Sequence, residues 1–258
     1  TIIDRFNIKK SNRRDPDDES QFFWVRPGEY MEDWQLLVDQ VIEKTYPLDD
    51  DTGRHMSIKA VGCDSGGGEG VTTTAYNFWR WLRDEHGANH HRRFQLIKGM
   101  ANPNVPRVKI AYPDAERKDR RAAARGEVPV LEINSNMLKD QVHLMLGRED
   151  PYGGMVHFPD WLPTWFYGEL TAETRTAKGW ESPRSVRNEA WDLLCYAVAT
   201  SLTAKHAHLE QINWDMPPRW AAEWDENDLV FLPEEEERPF VAANRTTIDL
   251  AGLAEKLG

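Results

Sequence analysis

Ser57-Ile58-Lys59-Ala60-Val61-Gly62-Cys63, running straight into Asp64-Ser65-Gly66-Gly67-Gly68, is the stretch that decides how this chain folds. Its apolar half has the length and composition of a short buried strand. The glycines behind it allow a sharp turn and leave no Cβ to hold a ligand away. An acid at the carboxyl end of a strand stands where α/β sheets place their ligands. The competing reading is that Asp64 only caps a helix starting near Val71. Two look-alikes fail. Asp64-Ser65-Gly66-Gly67 echoes the nucleophile segment of trypsin-like proteases, but that fold is built of short strands stapled by disulfides. This chain has 2 cysteines and long helical patterns. No Gly-Lys-Ser/Thr follows the glycines, so they do not form a phosphate-binding P-loop, and no other ATPase signature is present.

A second stretch answers the first. Arg187-Asn188-Glu189-Ala190-Trp191-Asp192, continued by Leu193-Leu194-Cys195-Tyr196-Ala197-Val198-Ala199, reads as a buried helix with Glu189 and Asp192 on one face. Two acids held close beside an apolar wall repel each other unless a cation lies between them, so a divalent-metal site is one reading. The other is a helix whose first-turn acids favour its N-terminal dipole.

The remaining elements follow from periodicity and breakers. Thr1–Ile8 reads as a strand, followed by a polar stretch to Glu29 and an amphipathic helix over Glu32–Tyr46. Asp49–Arg54 reads as a turn-rich loop, Val71–Glu85 as a helix ending at Gly87, and Phe94–Gly99 as a strand with Lys98 at its end. Residues Asn102–Gly126 are basic and weakly patterned, which predicts a flexible arm or hairpin. Val128–Ile133 is a predicted strand and Asn136–Leu146 a helix carrying Lys139. His157, Phe158 and Pro159 with Trp161, Trp165, Phe166 and Tyr167 predict a compact, loop-rich section, with His157 structural. The Asn188 helix is expected to run to Ala204. Beyond it an acidic linker leads to a short helix with Leu250, Leu253 and Leu257 on one side. His90-His91-Arg92-Arg93 reads as a solvated loop.

At 258 residues and 40% hydrophobic, the chain can bury one good core and carry an extension. No apolar run approaches membrane-spanning length, and the polar start is not a signal peptide. Cys63 and Cys195 sit in apolar patterns, as buried thiols of a reducing compartment do. A net charge of -11 argues against a dedicated nucleic-acid binder, but the distribution is uneven. Arg107, Lys109, Arg117, Lys118, Arg120, Arg121 and Arg125 make a local basic arm, compatible with phosphate contacts and equally with a solvated loop.

Taken in order, six landmarks resemble the nuclease part of the large terminase subunit of lambda-like tailed phages, the GpA type. They are Val61–Gly67, Ile97-Lys98-Gly99, Lys139 on its helix, Val156-His157-Phe158-Pro159, Leu170-Thr171-Ala172-Glu173, and Arg187–Asp192. The resemblance implies a ribonuclease H-like α/β fold, a mixed sheet flanked by helices. It implies a metal-dependent endonuclease that cuts concatemeric double-stranded phage DNA with two Mg²⁺ or Mn²⁺ ions. By position, Asp64 corresponds to the strand ligand and Asp192 to the helix ligand, with Glu189 an auxiliary acid or a capping group. Lys98 and Lys139 are candidates for phosphate contact or transition-state charge stabilisation. The implied partners are double-stranded DNA, the terminase small subunit, and the portal or procapsid through the C-terminal region. The implied place of action is the host cytoplasm, with no membrane.

One departure accompanies the resemblance. In this family the first metal-binding Asp lies on a strand upstream of the one that Thr1–Ile8 resembles. The chain therefore reads as a fragment that lacks that first strand and the ATPase domain. The expected division is a nuclease domain over 1–204 and an acidic extension over 205–258. Two other readings stand beside this one: another ribonuclease H-like nuclease or transposase, and a non-catalytic docking module that uses the acidic tail.

Overall fold

A computed structural model of the chain describes residues 1–100, 102–114, 126–150, 154–183 and 186–233. In chain order the elements begin with a hairpin of β1 (Lys10–Asp15) and β2 (Asp18–Trp24). Helix α1 (Glu32–Leu37) then runs into a π-helical turn, Val38–Ile42. Next come β3 (Thr45–Pro47), β4 (His55–Ser57), β5 (Val61–Asp64) and α2 (Val71–Asp84). Then follow β6 (Phe94–Met100), β7 (Val108–Ala111), β8 (Val130–Asn134) and α3 (Ser135–Leu146). The last are α4 (Thr164–Leu170), β9 (Thr174–Thr176), β10 (Gly179–Glu181), α5 (Glu189–Ser201) and β11 (Val230–Phe231).

The central sheet has the order β5-β6-β8-β7. β5, β6 and β8 run parallel, and β7 runs antiparallel on the edge beside β8. Strand alternation divides its side chains between two cores. Ile97, Leu131 and Ile133 face a cluster with Leu138, Val142, Phe166, Trp191, Cys195 and Ala199, from α3, α4 and α5. Val61, Phe94, Leu96 and Val130 face the opposite cluster with Trp34, Ile42, Phe78, Trp79 and Leu82, from α1, the π turn and α2. The molecule is thus a mixed α/β domain with its sheet flanked by helices on both faces, as parallel strands require. No helix of the described residues is long and apolar enough to cross a membrane.

Gly62 sets how closely α5 approaches this sheet. A Cβ there would stand 2.2 Å from Thr200 Oγ1 and 2.8 Å from Ile97 Cδ1. Without it, α5 lies directly against β5, and the acids of its first turns come over the strand end.

Several expectations are corrected. Thr1–Ile8 is not a strand: Ile2 donates one backbone bond to His157 O, and Asp4 is tied to Lys44 and Tyr46. The strands lie instead in the polar stretch that follows, where the β1–β2 turn between Asp15 and Asp18 makes a tight hairpin. The helical run of α1 and the π turn ends at Ile42, because Tyr46 belongs to β3. The Ser57–Cys63 run is not one strand: Ser57 ends β4 and Val61 begins β5, and the two lie in different sheets. The basic arm is in part an edge strand, β7, bonded to β8; residues 115–125 lie outside the described residues, as does the Leu250–Leu257 helix. Residues beyond 204 return to the body, where β11 pairs antiparallel with β4.

Candidate active site

β5 delivers Asp64 to the carboxyl end of the sheet, where its register partner on β6 is Ile97. The turn after it holds the carboxylate: Gly66 N–H donates to Asp64 Oδ1 at 2.8 Å. Ser65, fully buried, donates from both its amide and its hydroxyl to Ile97 O at 2.9 Å. Asp64 does not cap α2, whose N-cap is Gly70 in a left-handed conformation with no side-chain bond.

α5 supplies the other acids. Glu189, Asp192 and Tyr196 lie at spacings of three and four, on one face of the helix. The Tyr196 hydroxyl donates to Asp64 Oδ2 at 3.3 Å. Asp64, Glu189, Asp192 and Tyr196 all line one cavity of about 360 Å³, walled by Leu37, Val41 and Leu193. Two sequence motifs more than a hundred residues apart thus meet at one place.

Behind Asp192 lies a buried ionic group. Lys139 Nζ sits 2.8 Å from Glu173 Oε1 and 3.0 Å from Asp192 Oδ1. Asn188 Nδ2 bridges the same two acids, donating to Glu173 Oε1 at 2.6 Å and Asp192 Oδ2 at 3.1 Å. Asn188 is at the N-cap position of α5 but does not cap it. Glu169 of α4 does that work, accepting from Ala190 N–H at 3.0 Å. The Asn188 amide is thereby free to hold the two carboxylates.

Burial raises the Asp192 carboxyl above its ordinary value, and Glu173 and Asp64 add to the effect against the opposing pull of Lys139. Burial works against the Lys139 ammonium, yet Glu173 and Asp192 outweigh it and raise that group. The Tyr196 phenol is pushed well up by burial, then by the Asp64 and Asp192 charges. It stays a neutral donor. The cavity side therefore carries more negative charge than Lys139 compensates, and its donors are carboxylate oxygens, the set that suits a hard divalent cation.

The other expected residues fall apart from this cavity. Lys98, half-buried on β6 opposite Glu132, is not among its lining side chains. Arg107 pairs with Glu210 and bonds Gln141 Oε1 at 3.3 Å, so its charge is partly spent internally. Lys109 is exposed, 4.0 Å from Glu132. Arg117, Lys118, Arg120, Arg121 and Arg125 lie outside the described residues.

Glu173, Asn188 and Tyr196 had no role assigned from the sequence. Glu173 lies in the Leu170–Glu173 motif and Asn188 in the Arg187–Asp192 motif, and the helical spacing of Tyr196 from Asp192 and Glu189 was a readable signal.

A mixed α/β sheet with carboxylates and a lysine gathered around the end of one strand is consistent with an α/β nuclease. The family described as terminase large subunit gpA, endonuclease domain, matches residues 2–214, and the chain belongs to it. Membership implies an endonuclease that binds and cuts DNA in packaging, and suggests that it uses a divalent metal. No curated protein and no solved structure matches the chain.

Proposed function

We propose that this chain cleaves concatemeric double-stranded phage DNA by metal-dependent phosphodiester hydrolysis, with Asp64 and Asp192 as principal ligands of a two-ion Mg²⁺ or Mn²⁺ site. The reading gives the sheet a ribonuclease H-like identity. The observation that carries it is the shared cavity of Asp64, Glu189 and Asp192, with Tyr196 bridging to Asp64.

The donor chemistry of the carboxylates lining this cavity suits such ions. Asp64, Asp192 and Glu189 would hold them, and Glu173 lies behind Asp192 through Lys139 and Asn188. Bound there, the ions would lower the pKa of an attacking water and neutralise charge on the phosphate and leaving oxygen. The chain's own groups set the stage. Tyr196 and Gly66 fix the two oxygens of Asp64, so the carboxylate does not reorient as charge develops nearby. Asn188 and Lys139 bond Asp192 and fix its orientation, and Lys139 offsets part of the burial that raises its carboxyl. Leu37, Val41 and Leu193 wall the site and lower its local dielectric. Lys98, Lys109 and the basic run from Arg117 to Arg125 serve phosphates of the flanking duplex.

The nuclease domain spans 1–204, and the extension over 205–258 docks on the portal or procapsid. The terminase small subunit is a further partner, and the site of action is the host cytoplasm. Nicking of supercoiled plasmid with Mg²⁺ or Mn²⁺ tests the reading: Asp64→Asn and Asp192→Asn should each abolish it while the protein stays folded. Equal or higher activity in Asp192→Asn overturns the assignment.

A further inference from the structure

A second group of ligating side chains lies at the opposite end of the β5–β6 pair from Asp64. Glu43 closes the π-helical turn, its N–H bonded to Val38 O at 2.8 Å. His86 follows the end of α2, and His90 opens the short turn that leads into β6. That end of the sheet is marked by the bond from Val61 N–H to Arg93 O at 2.8 Å. The chain between the histidines reverses through Gly87 (φ 78°) and Asn89 (φ 58°), which folds His90 back beside His86. Their ring centroids are 4.9 Å apart, and His90 Nε2 is 2.6 Å from Glu43 Oε1. One ligand atom from each of the three residues lies within 4.8 Å of the others.

His90 is buried, contrary to the solvated loop expected of His90–Arg93. His86 Nδ1 is also buried and has no hydrogen-bond partner among the described residues. Leaving such an atom unsatisfied costs about 1–3 kcal/mol in a folded protein, a cost that ligation at this cluster would remove.

We infer that Glu43, His86 and His90 form a binding site for a divalent transition-metal ion of the zinc class, separate from the carboxylate cavity. Two imidazoles and one carboxylate are a zinc-type donor set with room for water, and imidazole nitrogen discriminates against Mg²⁺. Ligation through His90 Nε2 keeps the ring neutral by moving its proton to Nδ1. The contact of 3.4 Å from Arg93 Nη2 to Nδ1 then gives way, while Arg93 keeps its bond to Ile58 O at 3.2 Å. The Arg93 charge lowers the affinity the three ligands would otherwise give. The ion ties the end of the π turn, the end of α2 and the start of β6 together, so its role is to stiffen the helical layer that walls the Asp64 cavity through Leu37 and Val41. The site does not depend on the nuclease reading.

The test is calorimetric titration of the whole chain with ZnCl₂ and, separately, MgCl₂, with thermal melts in each. One zinc equivalent should bind to the wild type and to the Asp64→Asn/Asp192→Asn double variant. Glu43→Gln, at an exposed position, and His86→Gln should each weaken that equivalent tenfold or more and remove the zinc-dependent rise in Tm. Mg²⁺ should not compete. No zinc binding by the wild type, or binding unchanged in folded Glu43→Gln, overturns the site whether or not His86→Gln folds.

Discussion

Asp192 is half-buried, 3.0 Å from Lys139 and close to the like charges of Glu173 and Asp64, and its carboxyl is raised above 3.8. The sign follows directly. A folded-state pKa above the unfolded value means that the folded protein binds that proton more tightly. Stability therefore falls as pH rises from 3.8 through the raised value, and the penalty is complete above it. Asp192→Asn cannot ionise, so metal-free denaturation in urea, compared between mildly acidic and neutral pH, should show the variant gaining on the wild type at neutral pH. A loss instead would mean that the Lys139 contact outweighs burial. Glu173 contributes through its contacts. Its side chain is only 5% exposed and bonds both Lys139 and Asn188. Breaking a buried ion pair costs about 3–5 kcal/mol, and because Asp192 still faces Lys139, Glu173→Ala should cost about 2–3 kcal/mol. Nicking should fall with it, while Glu173→Gln should recover more of the stability than of the activity.

Among the elements, the contact of α5 with β5 governs the site. Gly62→Ala would drive a methyl into Thr200 Oγ1 at 2.2 Å. Overpacking of this kind costs about 1–3 kcal/mol. It should also lift the acids of α5 away from Asp64, so nicking should drop further than the stability loss alone explains. Full activity in a folded Gly62→Ala would break the link between helix approach and site geometry. The sequence was legible where local signals were strong. β6, β8, α2 and α3 fall within a few residues of their expected bounds, because apolar alternation, helical spacing and end signals such as Gly87 agree there. Asp64 and the α5 acids were legible for the same reason. The β1–β2 hairpin was not, since the burial pattern of β2 is exposed throughout and no apolar alternation marks it. β9, β10 and α4 are short elements of three to seven residues, fixed by tertiary contacts such as Trp180 N–H to Asn136 Oδ1 at 2.9 Å. The role of Glu173 depends on α3, α4 and α5 converging, which spacing along the chain does not reveal.

At the scale of the whole molecule, an acidic chain that must hold DNA needs its basic groups concentrated. Arg107 is partly spent on Glu210, so the proposed DNA contact rests on Lys109 and the run from Arg117 to Arg125. Charge reversal at Arg117, Lys118, Arg120 and Arg121 should weaken duplex binding and flatten its salt dependence. The logarithmic salt slope should shrink by roughly 0.9 for every phosphate that the arm ceases to neutralise. An unchanged affinity and slope would remove this arm from the DNA interface. The central claim, that motifs far apart in the chain build one cation site, is tested most directly by Mn²⁺ titration calorimetry. The comparison is Glu43→Gln against the same protein carrying Asp64→Asn and Asp192→Asn as well, so that the imidazole site is silent in both. Saturable Mn²⁺ binding in the first and its disappearance in the second is the predicted result. Undiminished binding in the second, or none in either, would contradict it.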